Sequence, residues 1–273
     1  MIKLLRANLT RMAKNKYFWF CVLTTLFING LVIYIMLRNI ALISREQMMF
    51  GFSGISLFTS GAFAALFLGE EHSDNTIRNK LMIGATRTQI CFANAITAVI
   101  GGFCMITAEK IIPLLTALLG GAGKLTMSAG DFTLGIIIYV CAVMASCVLF
   151  AVIGTIVTKR SNSVMLALVL TIISYLTAPM IKNKLDVPQM TTVTKYAEDK
   201  TTVIEEYEEP NPDGVTGAPR VLLESLYNTL SFGQLAQTSR ETDTRPFLPL
   251  YSLGTAVAAA GAGVLVFRRK DLK

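Results

Sequence analysis

Charged residues are scarce in this sequence of 273 residues: Asp, Glu, Lys and Arg make up only 16%, whereas 53% of the residues are hydrophobic. The mean hydropathy of +0.55 is too high for a soluble domain of this length. The composition therefore excludes a soluble globular protein and indicates an integral membrane protein. The formal net charge is +7, but no basic groove with interleaved aromatic residues accompanies it, so we expect no nucleic-acid binding.

Histidine and cysteine are also rare. His72 is the single histidine, and no second His or Cys stands near it. The five cysteines all lie in or at the ends of apolar segments and form no C-x-x-C pair. These absences exclude a His-based catalytic set and argue against a metal site or a disulfide framework. We expect no catalytic, cofactor-binding or metal-binding residue in this chain.

An ATP-binding motif is missing as well. The segment Gly120–Lys124 reads GGAGK, but Leu118 stands where a phosphate loop needs its first Gly, and Leu125 stands where it needs Ser or Thr. We therefore do not assign ATP binding to this chain.

What the sequence does contain is long apolar runs. A membrane span needs roughly 20 apolar residues at ~1.5 Å rise each. By that measure there are six spans: Phe18–Met36, Met48–Leu68, Ile90–Leu119, Phe132–Val157, Val164–Ile181 and Phe247–Phe267. The pattern predicts an all-α, multi-pass protein of the cell membrane.

The placement of basic residues predicts the orientation. Lys and Arg residues precede the first span and follow the last, and the short loops 70–89 and 159–162 hold five more Lys and Arg residues. Basic residues are retained on the cytoplasmic side, so we predict that both termini and these two loops are cytoplasmic. The loop 182–246, which carries four closely spaced Glu residues, is then extracellular.

The chain divides into four parts on this interpretation: 1–16, 17–181, 182–246 and 247–273. Apolar residues at helical spacing in the first part predict an interfacial helix on the inner leaflet. In the third part, Met190–Tyr196 and Lys200–Glu208 favour a small β-hairpin. The segment Val221–Leu235 predicts one helix lying on the outer leaflet, and whether this loop contacts substrate or only caps the bundle stays open.

The stretch Glu70–Ile90 is a long polar interval between the second and third spans, and it carries three Lys or Arg residues together with three Asp or Glu residues. Ser73 or Asp74 is suited to cap a helix that begins near Thr76, and Gly84 is suited to end it. On that helix Ile77 and Leu81 share a face, and we expect Arg78 and Lys80 to be solvated. Arg87 is expected at the headgroup level, after Thr86 or Thr88 has capped the next span.

Two further features permit more than one interpretation. Glu109 and Lys110 form the only charged pair inside an apolar run, and we favour snorkelling and local pairing over a gating or substrate role. Small residues recur every four positions in the last span, at Gly254, Ala258 and Ala262. Such a stripe allows close helix approach, which we expect within the chain more than at a subunit interface.

The stretch Glu70–Ile90 resembles the inner loop of permease subunits of type-2 ABC exporters. That loop carries a Glu, a Gly-Thr, an Ile-Arg pair and a Gly-x-x-Arg, and the matching residues here are Glu71, Thr76, Ile77, Arg78, Gly84 and Arg87. Asn75 stands where the family usually has Gly, and Asn tolerates a left-handed backbone better than other non-Gly residues.

A second set resembles the outer loop of permeases for antimicrobial-peptide or lantibiotic export or immunity: Asn211, Pro212, Gly217, Arg220, Phe232, Gly233 and Gln234.

The resemblance implies two permease subunits, identical or different, with two cytoplasmic ATP-binding subunits. The inner loop would act as a coupling helix between the ATPase and the spans, and the passenger would be amphipathic or hydrophobic. The alternative is a membrane sensor or scaffold whose acidic outer loop binds a ligand. An ion-coupled transporter would need charged residues at the bilayer midplane, and the sequence shows none there.

Overall fold

The computed structural model describes residues 1–39, 43–51, 53–196, 203–238 and 245–269. Within them it contains eleven helices and one two-stranded sheet. The elements are α1 (Ile2–Lys14), α2 (Lys16–Asn39), α3 (Arg45–Phe50), α4 (Ile55–Ser73), α5 (Thr76–Met82), α6 (Arg87–Leu118), α7 (Ala129–Ile156), α8 (Arg160–Leu185), β1 (Met190–Tyr196), β2 (Val203–Pro210), α9 (Gly217–Thr229), α10 (Ser231–Thr238) and α11 (Leu248–Arg269).

The prediction of an all-α membrane protein with six spans is confirmed. The six apolar segments long enough to cross a bilayer are α2, α3 with α4, α6, α7, α8 and α11. They alternate in direction, so α1 and the end of α11 lie at the same end of the bundle: Arg11 contacts Glu71, and Arg87 contacts the carbonyl of Phe267. We call this the α5 end, and the opposite one the hairpin end.

The centre of the bundle is formed by α4, α6 and α7. Small residues allow these helices to approach closely: a Cβ on Gly61 would lie 3.1 Å from the Phe150 ring, and one on Gly102 would lie 2.3 Å from the Cys147 sulfur. By contrast, α8 and α11 leave most of their apolar side chains exposed. In a bilayer those side chains face acyl chains, which explains why the outer helices are apolar on every face.

The second span is not the single helix that Met48–Leu68 predicts. The helix ends at Phe50 and resumes at Ile55, with Gly51 and Gly54 in the interruption. Ser44 and Gln47 form a capping box at the start of α3, so α3 is an independent short helix. Glycine is not polar, so the apolar pattern continues through the break. Its backbone freedom allows the helix to end there.

The hairpin of the long loop is confirmed, with its second strand at Val203–Pro210 instead of Lys200–Glu208. The strands are antiparallel, and Thr192 pairs with Glu208. Residues 197–202, which include the predicted turn, lie outside the described residues.

The single surface helix predicted for Val221–Leu235 is wrong. Leu230 adopts an extended conformation, with φ −69° and ψ 127°, and separates α9 from α10. In α9, Val221 and Leu222 are exposed as expected, but α10 enters the bundle, where Leu235 is buried in the core. The Ser231 hydroxyl lies 2.6 Å from the Ser146 hydroxyl of α7. The loop therefore inserts a short helix between the spans.

The preferred interpretation of the small-residue stripe is also wrong. Gly254, Ala258 and Ala262 are exposed, and a Cβ on Gly254 would meet no atom within 4 Å. Within the described residues, α11 instead packs through Gly263, which faces Val152 of α7. The stripe is therefore not packed into the chain's own core, although Ala258 borders a cavity beside Phe150.

Candidate functional site

The short helix α5 is built as the sequence predicts at its ends, with one difference. Asn75 precedes it with a left-handed backbone, φ 54°, which confirms that Asn replaces Gly at this turn. Neither Ser73 nor Asp74 is the N-cap residue; the Ser73 hydroxyl donates to the Glu70 carbonyl. The helix stops at Gly84, φ 90°, where the amides of Gly84 and Ala85 donate to the carbonyls of Leu81 and Lys80. This is a Schellman ending.

α5 has one buried face and one exposed face. Ile77 is 2% exposed and packs with Ile90, Cys91 and Phe267, joined by Leu81. The shared face of Ile77 and Leu81 is therefore confirmed, and it is turned toward the bundle. On the opposite side, Arg78, Asn79, Met82 and Ile83 are exposed, and Met82 and Ile83 are 77% and 79% exposed. We call these four residues the outer face of α5.

Glu71 lies at the centre of a buried ionic cluster beneath α5. Its carboxylate is fully buried and lies 2.8 Å from the Arg11 guanidinium and 2.5 Å from the Lys80 ammonium. Lys80 is only 8% exposed, so the expectation that it is solvated is wrong. Burial lowers the pKa of the Lys80 ammonium, and the Glu71 carboxylate beside it opposes that shift.

Three neutral side chains complete the cluster. Asn94 donates to Glu71 at 3.0 Å and to Thr155 at 3.3 Å, and Asn8 donates to Asn94 at 2.9 Å. The Asn8 carbonyl oxygen in turn accepts from Lys80 at 2.9 Å. The cluster thus joins five elements: α1 through Asn8 and Arg11, α4 through Glu71, α5 through Lys80, α6 through Asn94 and α7 through Thr155.

The remaining residues of the predicted set lie at the start of α6. Thr86 and Gln89 form a capping box, so Thr86 and not Thr88 is the cap. Arg87 donates to the carbonyls of Phe267 and Arg268, both at 3.0 Å, at the end of α11. Thr76 is partly exposed in the first turn of α5. The predicted coupling set consists of the six motif residues and Leu81. Of these seven, Glu71 and Ile77 are buried, and only Arg78 and Gly84 are exposed.

Glu109 and Lys110 form a second buried cluster at the interruption of the second span. Glu109 accepts from the Ser56 amide at 2.6 Å, at the start of α4, and lies 3.1 Å from the Lys110 ammonium. Lys110 donates to the Met49 carbonyl of α3 at 2.7 Å and to the Ser53 hydroxyl at 2.6 Å. Local pairing is confirmed, but Glu109 does not snorkel, because it is fully buried.

This pair stabilises both broken helix ends. A carboxylate is favourable at a helix N-terminus and an ammonium at a C-terminus, because each compensates the partial charges of unpaired amides or carbonyls. Tyr139 of α7 closes the cluster: its ring lies under the Lys110 ammonium at 4.3 Å, and its hydroxyl lies 2.8 Å from that of Ser56.

Sequence reasoning missed the neutral partners in both clusters, notably Asn8, Asn94 and Thr155 at the α5 end and Ser56 and Tyr139 at the break. A search restricted to charged residues does not find them. For the partners in the spans, the available signal was a polar side chain within an apolar helix, since such a residue needs a partner. Asn8 gave no such signal, because α1 is not a span.

The chain was compared with known proteins. A family model described as "ABC-2 family transporter protein" matches residues 4–177, which contain α5, both clusters and most of the bundle. No curated protein matches the chain. The matched segment ends before the hairpin, so the likeness of residues 211–234 to antimicrobial-peptide permeases has no support from this comparison. Because the match covers more than half of the chain, and the six spans agree with it, the protein belongs to the ABC-2 family of transporter proteins, the membrane permeases of ABC transporters.

Proposed function

We propose that this chain is the permease subunit of an ATP-driven exporter and that α5 is its coupling helix. The observation that carries the proposal is the division of α5 into an anchored face and an exposed apolar face. The family membership supports a permease role and implies an ATP-binding partner. The residues of α5 and the clusters beneath it support the finer mechanism.

The outer face of α5 is suited to a protein partner. Met82 and Ile83 are adjacent large apolar side chains that contact little of the chain, and Arg78 and Asn79 lie beside them. Apolar residues framed by polar ones on an exposed surface are typical of interaction sites, because a partner removes them from water. A cytoplasmic ATP-binding subunit would cover this face.

The buried face of α5 is suited to transmit force. A push on the outer face reaches Lys80, whose ion pair with Glu71 links it to α4, and whose bond to Asn8 links it to α1. Breaking such a buried pair costs about 3–5 kcal/mol, so α5 is expected to move with these helices and not slide over them. ATPase closure would then switch the spans between two packings.

The proposed direction of transport and the proposed passenger are inferred from the sequence pattern and from the resemblance to exporters. Basic residues gather at the α5 end, which supports a cytoplasmic location for that end. The resemblance to exporters supports outward transport of an amphipathic or hydrophobic molecule, and the outer-loop residues Asn211 to Gln234 suggest an antimicrobial peptide.

The exposed stripe on α11 supports pairing with a second permease subunit. Gly254, Ala258 and Ala262 present backbone to the membrane, where small residues allow two helices to approach closely. An identical or a related chain would fit this face, and the dimer is proposed in either composition.

Co-purification tests the coupling role. We expect the tagged permease, extracted in mild detergent, to retain its ATP-binding subunit, and Met82→Asp with Ile83→Asp to reduce the retained subunit at least about tenfold. The matched control is Leu118→Asp with Leu119→Asp, an exposed apolar pair at the hairpin end. Substitution of Ile77 is unsuitable, because that residue packs inside the chain.

The sensor alternative predicts a different result in the same experiment. A sensor or scaffold would bring down no ATP-binding subunit even as the native chain. Retention that is unchanged by the Met82 and Ile83 substitutions would refute α5 as the coupling helix and leave the family membership intact.

A further inference from the structure

A cleft of about 590 Å³ opens at the hairpin end of the bundle. Its walls come from α2, from the interruption between α3 and α4, from α8 and from the inserted helix α10. Nearly all the described lining is apolar, including Val32, Phe58, Phe232 and Ala236. The volume lies within the range of ~300–1,000 Å³ that is usual for small-molecule sites.

The cleft is held open by rigid contacts on two sides. Phe58, Tyr175 and Phe232 form an aromatic cluster with ring centroids 5.2–6.2 Å apart. On another wall, Ser53 accepts a hydrogen bond from the buried Lys110 ammonium at 2.6 Å. A Cβ on Gly54 would lie 2.7 Å from the Phe232 ring, so glycine is needed where α10 meets the break. The cleft is therefore a preformed feature of the fold.

The described lining of this cleft includes one charged side chain, the Lys182 ammonium. Lys182 lies in the last turn of α8. Its ammonium lies 3.7 Å from the Asp186 carboxylate, whose side chain is 54% exposed. Such a long, exposed i, i+4 pair contributes little, so the ammonium can exchange it for a bound anion.

We propose that this cleft binds an amphiphile with one anionic head group and one apolar chain. The head group would lie at Lys182, and the chain would follow Phe58, Tyr175 and Phe232 toward Val32. A cationic amphiphile is disfavoured, because the Lys182 ammonium lines the cleft, whereas its partner Asp186 is not among the lining residues. The inference concerns binding by the permease alone and does not depend on the proposed ATPase partner or on the direction of transport.

Photo-crosslinking in nanodiscs of zwitterionic lipid tests the site. The probe is a diazirine derivative of palmitate, and the comparison probe carries the same chain with a trimethylammonium head. We expect saturable labelling of Phe58, Tyr175 or Phe232 by the palmitate probe, and at least about tenfold less labelling by the cationic one. Competition by unlabelled palmitate and by lysophosphatidate separates a carboxylate from a phosphate preference, and displacement by either supports the site.

Two variants with matched controls separate the head-group and chain contributions. Lys182→Glu should lower palmitate labelling about tenfold or more, whereas Lys184→Glu, an exposed lysine outside the cleft lining, should not. Val32→Trp should fill the cleft and block labelling, whereas Leu31→Trp on the exposed side of α2 should not. Each variant is used only if it elutes like the native protein in size-exclusion chromatography.

Three results would overturn the proposal. The first is labelling that excess unlabelled palmitate does not reduce. The second is equal labelling of the cleft by both probes, and the third is equal labelling of the native chain and Lys182→Glu. None of them bears on whether an ATP-binding subunit associates with α5, so the two proposals fail separately.

Discussion

Two adjacent glutamates show how environment decides what a residue does. Glu71 is fully buried and contacts Arg11, Lys80 and Asn94. The side chain of Glu70 is 21% exposed; it accepts from Asn15 at 2.8 Å and lies 3.5 Å from Arg160. A buried charge that loses its partner remains desolvated, whereas a partly exposed one is resolvated by water. The same substitution at the two positions should therefore have unequal effects.

We expect Glu71→Gln to lower the stability of the folded chain by about 3–5 kcal/mol, because it leaves two cations near an uncharged amide in a buried site. Glu70→Gln, the matched control, should cost about 1 kcal/mol or less. Thermal unfolding of the purified chain in detergent, followed by circular dichroism, measures both. Equal shifts of the melting temperature would contradict the assignment of Glu71 as the buried centre of the cluster.

At the level of elements, the broken second span and the inserted helix α10 depart most from a simple six-helix bundle. A helix break inside a membrane protein exposes amides and carbonyls that need partners, since lipid supplies none. Glu109 and Lys110 supply them on one side, and α10 packs against Gly54 on the other. The pair is therefore expected to have a structural role at the break, in addition to any role in gating.

A double-mutant cycle tests this role. Glu109→Gln leaves the Lys110 ammonium buried without a counter-charge and should cost about 3–5 kcal/mol, as should Lys110→Met for the converse reason. The double variant should recover a large part of the loss, because neither charge remains. The partly exposed i, i+4 pair of Arg220 and Glu224 is the control, and Glu224→Gln there should change the melting temperature little. Additive losses at Glu109 and Lys110 would rule out the ion pair as the stabilising contact.

At the scale of the whole molecule, an ATP-binding subunit can push on α5 only if the α5 end of the bundle is cytoplasmic. Helix α1, the end of α11, α5 and the buried ionic cluster all lie at one end. The hairpin and the cleft lined by Lys182 lie at the other, at the C-terminal ends of α2 and α8. This separation suits a permease that is driven from one side of the membrane and contacts its ligand near the other.

Labelling of single cysteines tests the orientation. Arg78 and Asp213 are exposed and lie at opposite ends of the bundle. We expect a membrane-impermeant maleimide to label Asp213→Cys in intact cells and Arg78→Cys only after permeabilisation. The native chain is the control, because its five cysteines are buried or partly buried. Labelling of Arg78→Cys in intact cells would refute a cytoplasmic α5.

The sequence alone determined the features that depend on local chemistry. Length and hydropathy predicted six spans, because each must satisfy its own backbone within the bilayer. Gly84 predicted a helix end, and Thr86 or Thr88 predicted the next helix start. The turn at Asn75 was expected because the resembling family has Gly there and Asn tolerates the same backbone. Six of the seven proposed coupling residues came from the family motif, and Leu81 came from its helical spacing to Ile77. A motif names positions but not the direction in which each side chain points.

Only the tertiary structure decided the contacts between distant segments. The pattern of α5 alone predicts a solvated Lys80. In the structure α1 and α4 pack against α5, and Asn8 and Glu71 bury the Lys80 ammonium. Likewise, the apolar pattern of Val221–Leu235 suits a surface helix, and the insertion of α10 depends on a polar partner, Ser146, 85 residues earlier in the chain. Hydropathy does not predict which side chains are buried in a membrane protein, because lipid-facing and core-facing residues are equally apolar. Burial depends on which helices pack together.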